Sequence, residues 1–313
     1  LCGLEVTRDM TNMNAFLELR LADRGTGITY AGSYGEINTI NFGGEMDATI
    51  IEVAFHDNTS DIKLLLDPKA RNWVARASYH AVVKYMNEFD ALPLNFLPEP
   101  PASVRAVAAP EGVQISWNTP VAQAGSGQAA GYTVYVSTNG YGFGRLAAVN
   151  GGATTSITLT NLAADADFYF RVAAVNSGGE SFPSEVVGCR RASNPAQSRV
   201  LFVNAFDRFD RTTNLRQDLA RTNYVPPGNS GAVGRVMPRA NNAFDYVVPH
   251  GQAVSAFGLP FDSCSRPGVT NGQVSLANYD IVIWECGTSL TNTFRAAERN
   301  IITNFQNAGG HLF

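Results

Sequence analysis

Between Pro101 and Cys189 the chain carries short apolar or alternating runs at regular spacing, VQISW, GYTVYVST, TSITLT and FYFRVAAVN, separated by turns of Gly, Asn and Asp. Alternation with a period of two places every second side chain on one face of a strand. Runs this short, punctuated this often, read as an all-β sandwich. Both ends of the region are marked. The segment LPLNFLPEPP, residues 92–101, holds four prolines, which neither continue a helix nor donate within a sheet, and residues 93–100 read as a linker. The segment RRASNPAQS, residues 190–198, has no apolar periodicity and precedes the apolar run RVLFVNAF. The expected organisation is therefore 1–92, 101–190 and 198–313, which suits a chain of 313 residues because a single core stops growing efficiently below that size.

Composition narrows the partners. Lys and Arg number 23 against 27 Asp and Glu, with no basic cluster able to neutralise a run of phosphates, so nucleic acid is not expected. No uninterrupted apolar stretch reaches the roughly 18 to 20 residues of a spanning helix, so no transmembrane segment is expected. The four cysteines, Cys2, Cys189, Cys264 and Cys286, form no CxxC pair and have no His at zinc-finger spacing. Cys264 and Cys286 are left with two readings, a disulfide or two separate buried thiols.

Near the amino terminus, ATIIEVAF (48–55) is an apolar run broken by a single carboxylate, the pattern of a buried strand with Glu52 near its end. Burying an unpaired carboxylate is costly, so Glu52 calls for a cation, a metal or a solvent-filled site, or else for pairing with an Arg such as Arg24 or Arg71. His56, directly after the run, is a second candidate for the same cleft, with a turn or capping role as its alternative. The cluster HDNTSD reads as a turn and cap. Asp67-Pro68 reads as N-cap and first residue of a helix of about five turns. Ala70, Trp73, Val74, Ala77, Ala81 and Tyr85 mark the apolar face of that helix, and His80 is assigned to the opposite, solvated face.

Trp117 in the second run, Pro120, Leu162 and the stretch FYFRVAAVNSGGESFPS (168–184) resemble a fibronectin type III domain over its whole length. At the corner position where that family usually carries Tyr, this chain has Phe168. The missing hydroxyl removes one bond to the backbone, worth about 1 kcal/mol. The stretch IIEVAFHDNTSDIKLLLDPKARNWVARASYHAVVKYM, with Asp23-Arg24-Gly25 and SYGEIN (33–38) upstream, resembles the closing strand and helix of zinc-dependent N-acetylmuramoyl-L-alanine amidases, in a branch sometimes labelled xanthan-lyase-like. The resemblance implies an α/β domain whose carboxyl-terminal part is present here, with Glu52 catalytic. It also implies Zn²⁺ in the intact protein, on two His and one Glu expected before the matched region. No His precedes His56, so this region alone is expected to lack the metal ligands and to be inactive.

In the last region RVLFVNAF (199–206) and YDIVIWE (279–285) read as buried parallel strands. Phe294, Ala297, Ile301, Phe305 and Ala308 read as the apolar face of a helix ended by Gly309-Gly310. The pieces resemble a flavodoxin-like, glutamine-amidotransferase-like α/β domain with a parallel sheet, expected to be incomplete at Phe313. Ligands of open α/β sheets bind beyond the carboxyl ends of the strands, which here would gather Asp207, Arg208, Asp210, Glu285 and Cys286. No glycine fingerprint follows the first strand, and neither a nearby His nor elbow glycines support Cys286 as a nucleophile.

The leading expectation is a secreted bacterial hydrolase that cleaves the muramoyl-L-alanine amide of peptidoglycan, located outside the cell or in its envelope, with Glu52 as general base and acid. The alternative is a non-catalytic extracellular polysaccharide-binding or surface protein. A polysaccharide lyase ranks below both, because no cluster of Tyr, His and Arg surrounds Glu52 in the sequence.

Overall fold

The computed structural model describes residues 51, 53–55, 57–121, 127–194, 196–206, 215–218, 232–235, 245–287 and 293–313, without the side chains of 64, 68, 69, 215–218 and 232–235. The chain divides into two compact units, one formed by Leu1–Phe96, Gln123–Gly125 and Asp210–Val236, the other by Leu97–Ala122, Ser126–Phe209 and Met237–Phe313.

In the first unit, Asn58 caps α1 (Thr59–Leu65), its Oδ1 accepting from the backbone N–H of Ser60 and Asp61. The helix α2 (Pro68–Asp90) opens at the proline, as the Asp67-Pro68 pair implies. Ala70, Ala77 and Ala81 are buried as expected, but so is His80, at 2% exposure, with its ring 4.4 Å from that of Phe96. Assignment of His80 to the solvated face is thus corrected. Three residues on from Ala77 it sits only about 60° round the helix axis, inside the apolar stripe. Ile51, Val53 and Phe55 are exposed and outside any strand, so the buried strand expected over 48–55 is not found in its described part. A hairpin, β10 (Leu215–Asp218) with β11 (Ala232–Arg235), completes what is described of this unit.

The second unit begins with a sandwich. One sheet joins β1 (Ala102–Ala109), β2 (Gly112–Asn118) and β5 (Ser156–Leu159). The other joins β4 (Gly144–Asn150), β3 (Gly131–Ser137), β6 (Asp167–Asn176) and β8 (Val187–Arg190), with the short β7 (Gly179–Glu180) on β6. All pairings are antiparallel. The alternation seen in the sequence is realised as a dry core of Val104, Ile115, Trp117, Tyr132, Val134, Phe170 and Val172, with Phe168 and Leu162 packed at its margin. Trp117 and Tyr132 meet edge to face, with centroids 5.0 Å apart.

The rest of the unit is a parallel sheet: β9 (Val200–Asn204), β12 (Phe261–Ser265), β13 (Ile281–Glu285) and β14 (His311–Leu312), in the order β14-β13-β9-β12. All five residues of β9 are buried because both faces are covered. Val200 and Phe202 pack with Val247 and Val248 of α3 (Val247–Ala256). Leu201 and Val203 pack toward Val269 of α4 (Arg266–Thr270) and toward Ile302 and Phe305 of α5 (Ala296–Asn307). The helix α3 lies so close that a Cβ on Gly251 would sit 2.6 Å from the Phe261 ring. On α5 the buried face differs from the expected one. Ala297 and Ala308 are exposed, while Glu298 is fully buried between Phe294 and Ile302 in sequence, held by Arg266 with Nε–Oε1 3.3 Å. The alanines offer little area to bury, so the helix turns its larger side chains inward, and an ion pair fills the gap.

The strand β12 belongs to both halves. It is parallel to β9 and antiparallel to β1 (Arg105 opposite Cys264) and to β8 (Phe261 opposite Arg190). Ser263 Oγ reinforces the seam, accepting from Gly188 N and donating to Gly188 O. One continuous hydrogen-bonded sheet therefore runs from the sandwich into the parallel layer. Cys189, Cys264 and Cys286 all carry free thiols, which decides the two readings of Cys264 and Cys286 against a disulfide.

Candidate functional site

From β9 the chain crosses to β12 on one side, then returns past β9 to β13 and outward to β14, so the strand order reverses between β9 and β13. At such a reversal the connections leave in opposite directions and a crevice opens at the carboxyl ends of the strands. Register places Ser265, Asn204 and Glu285 side by side there, as the last residues of three adjacent strands. His250 of α3 joins them, its Nε2 3.2 Å from Glu285 Oε2, and its ring lies over Phe202 at 5.3 Å. Gly287 N donates to the other oxygen, Oε1, at 2.6 Å. The bonds from His250 and Gly287 hold the Glu285 carboxyl below its usual range against the opposing effect of burial.

Next to this row Asn204 donates through Nδ2 to Glu185 Oε2. Burial pushes the Glu185 carboxyl up to about 8, more than the Asn204 bond lowers it. Asn204 Oδ1 and Ser265 Oγ are buried with no hydrogen-bond partner among the described residues. Unsatisfied polar atoms in a native interior are uncommon, and two of them at the ends of neighbouring strands mark this row as a polar place within the buried sheet.

Of the residues expected at the strand ends, Glu285 stands in the row. Cys286 points its Sγ toward the carbonyls of Thr293 (3.7 Å) and Trp284 (4.0 Å), and burial raises its thiol pKa, so it is not poised as a thiolate nucleophile. Asp207, Arg208 and Asp210 lie outside the described residues, as do Glu52 and His56. His250 and Asn204 were missed by sequence reasoning. The only signal was their place, Asn204 at the end of an apolar run and His250 after Pro249 near a helix start, and neither position is diagnostic. Among the described residues no three of His, Cys, Asp and Glu converge where a metal ion would sit, so zinc is assigned to none of them. No helix among them is long and apolar enough to cross a membrane.

With two antiparallel sheets packed over a Trp-centred core, the first half of the second unit is an immunoglobulin-like β-sandwich. Residues 99–190 match the fibronectin type III domain family and form such a domain. A Kelch domain-containing protein of Saccharolobus solfataricus is 32% identical over 137 residues, which are 44% of this chain and 16% of that protein's length. Among solved structures, the Fn3-like protein from Clostridium thermocellum is 27% identical, covering 28% of this chain and 88% of its own, with a TM-score of 0.25. The fibronectin type-III domain of human fibronectin type III domain containing protein 3 is 30% identical, covering 32% and 93%, with a TM-score of 0.26.

Proposed function

We propose that the region from Leu97 onward is a non-catalytic extracellular unit that binds and spaces, with peptidoglycan or another cell-wall polysaccharide as its ligand. The observation that carries this reading is the sharing of β12 between the fibronectin type III domain and the parallel sheet. A module tied to its neighbour by ladder hydrogen bonds on two strands presents its loops from a fixed frame, which lowers the ordering cost of binding an extended polymer. Exposed rings suited to stacking on sugars are available at Tyr141, Phe182 and Phe257. The parallel layer, with order 2-1-3-4 when its strands are numbered along the chain, is read as flavodoxin-like.

A catalytic reading is favoured by one further observation, the succession of an Asn58-capped turn, α1 and α2 directly after the IIEVAF run. That order agrees with the amidase resemblance, which makes Glu52 the residue that moves the proton and places the zinc ligands elsewhere.

One experiment separates the readings. Purified peptidoglycan is incubated with the full-length protein bearing this chain and with its Glu52→Gln variant, and bound protein, zinc content and released stem peptide are measured. Retention without zinc or release supports the binding unit. Release by a zinc-containing parent, lost in Glu52→Gln with the metal kept, supports the amidase. No retention and no release defeats both.

A further inference from the structure

On the side of β12 away from the strand-end row, a pocket of about 250 Å³ opens at the seam between the sandwich and the parallel layer. Its polar lining is Arg190, Arg191, Arg199, Gln197 and Asp262, and Phe261 forms part of its apolar wall. The lining brings three guanidinium groups and one carboxylate together, and their partners show what is left over. Asp262, 3% exposed, is saturated: it accepts from Ala108 N (2.8 Å) and Cys189 Sγ (3.3 Å) on Oδ1, and from Arg199 Nη2 (3.2 Å) and Tyr279 Oη (2.9 Å) on Oδ2. Arg190 is held by Asp167, with Nη1–Oδ1 3.2 Å. Arg191 gives Nη2 to the Leu162 carbonyl (3.0 Å), and no carboxylate among the described residues pairs with it. The Nε atoms of Arg190 and Arg191 are buried without acceptors among the described residues. Arg199 is braced by stacking 4.9 Å over the Tyr279 ring, yet its side chain keeps 43% exposure and so retains donors free to turn toward a ligand.

Each guanidinium keeps some N–H groups without an acceptor among the described residues, which costs free energy where they are buried, and planar forks of this kind match carboxylate and phosphate oxygens two at a time. A cation is repelled by the surplus of positive charge, and a purely apolar guest would bury the same donors without bonding them. The volume lies just under the roughly 300 to 1,000 Å³ of pockets for drug-sized ligands, which limits the guest to one small ring or chain.

We propose that this pocket binds a small oxyanion, a carboxylate or a phosphate monoester, carried on a body no larger than a single sugar ring, with Arg191 and Arg199 as its principal donors. The inference does not rest on the wall-binding reading, because a soluble anion and the acidic residue of a polymer present the same group.

The test is calorimetric titration of the full chain with glucuronate, glucose 6-phosphate and glucose. Binding of at least one of the two anions with no heat from glucose is expected, and which anion binds tells carboxylate from phosphate. Arg199→Gln, a change at an accessible side chain, is expected to weaken that binding roughly tenfold or more, as loss of a charge-assisted bond does, and Arg191→Gln to do the same. Arg299→Gln on the exposed face of α5 is expected to change nothing. Should Arg191→Gln fail to fold, Arg199→Gln decides. Equal response to all three sugars, no binding of either anion, or binding indifferent to Arg199→Gln would overturn the proposal.

Discussion

The two halves of the second unit share a strand but are held together differently. The sandwich core is apolar throughout, built on Trp117, Tyr132, Ile115, Phe170 and the valines around them. The parallel layer carries charge inside: the Arg266–Glu298 pair at 4% and 0% exposure and the saturated Asp262. A module that relies on packing alone loses little if its surface changes. A layer that holds charges in its interior is sensitive to the loss of any one partner, and proteins keep such groups where they position something or fix one arrangement among several. The contrast places the buried polar and charged groups in the parallel layer and at its seam, and leaves the fibronectin type III domain with an apolar core.

The largest effect tests the packing side. Replacing Trp117 by Ala removes the widest side chain of the sandwich core, 1% exposed, and is expected to destabilise the unit by about 3 to 5 kcal/mol in chemical denaturation. Its indole N–H has no partner among the described residues, so the cost comes from lost contact and the cavity. A cost below about 1 kcal/mol would mean that the sandwich does not depend on its core in this way.

The next effect tests the charged side. Glu298→Gln keeps an acceptor for the Arg295 N–H, which Oε2 now receives at 2.7 Å, and removes only the charge facing Arg266. Leaving that guanidinium buried without its counter-ion is expected to cost about 3 kcal/mol, and adding Arg266→Met is expected to recover most of the loss. If the double variant is as unstable as the single one, the pair is not the source of the sensitivity and the contrast between the halves weakens.

The same contrast governs what could be read in advance. The sandwich was legible because each strand writes its burial as alternation, and the Trp117 and Phe168 to Ser184 patterns fixed its kind. The runs at β9 and β13 were legible as continuous apolar segments, since strands covered on both faces need apolar residues at every position. The strand β12, FDSCS, was not: only Phe261 and Cys264 are apolar, and Asp262 and Ser263 are satisfied by partners outside the strand, among them Tyr279 and Gly188. The helix α3 was hidden by Pro249 and Gly251, both poor helix residues, with the proline in the first turn where its missing N–H costs nothing and the glycine where no Cβ would fit. His80 was misplaced for a related reason: a titratable residue inside an apolar stripe looks like the edge of the solvated face until its neighbours, here the Phe96 ring, are seen. Of the candidate site, Glu285 was legible as the end of a buried run, whereas His250 and Asn204 acquire meaning only from the register of three strands and a helix.

The smallest effect sharpens the comparison through pH. Burial raises the Glu185 carboxyl from 4.5 to about 8 in the folded protein. Between those values the folded state holds a proton that the unfolded state has released, so the stability linked to this group is complete below about pH 4.5 and is lost as pH rises through about 8. Glu285 acts in the opposite sense: its lowered carboxyl contributes stability that disappears only as pH falls below the unfolded value, outside this window. Because Glu185 is partly exposed, the decline between about pH 5 and 8 is expected to be only about 1 to 2 kcal/mol. Glu185→Gln, which keeps a bond to Asn204 while removing the titration, is expected to flatten that decline in denaturation midpoints measured across the range. An unchanged slope in the variant would show that Glu185 ionises normally, and the strand-end row would then be better solvated than the parallel layer's other buried charges.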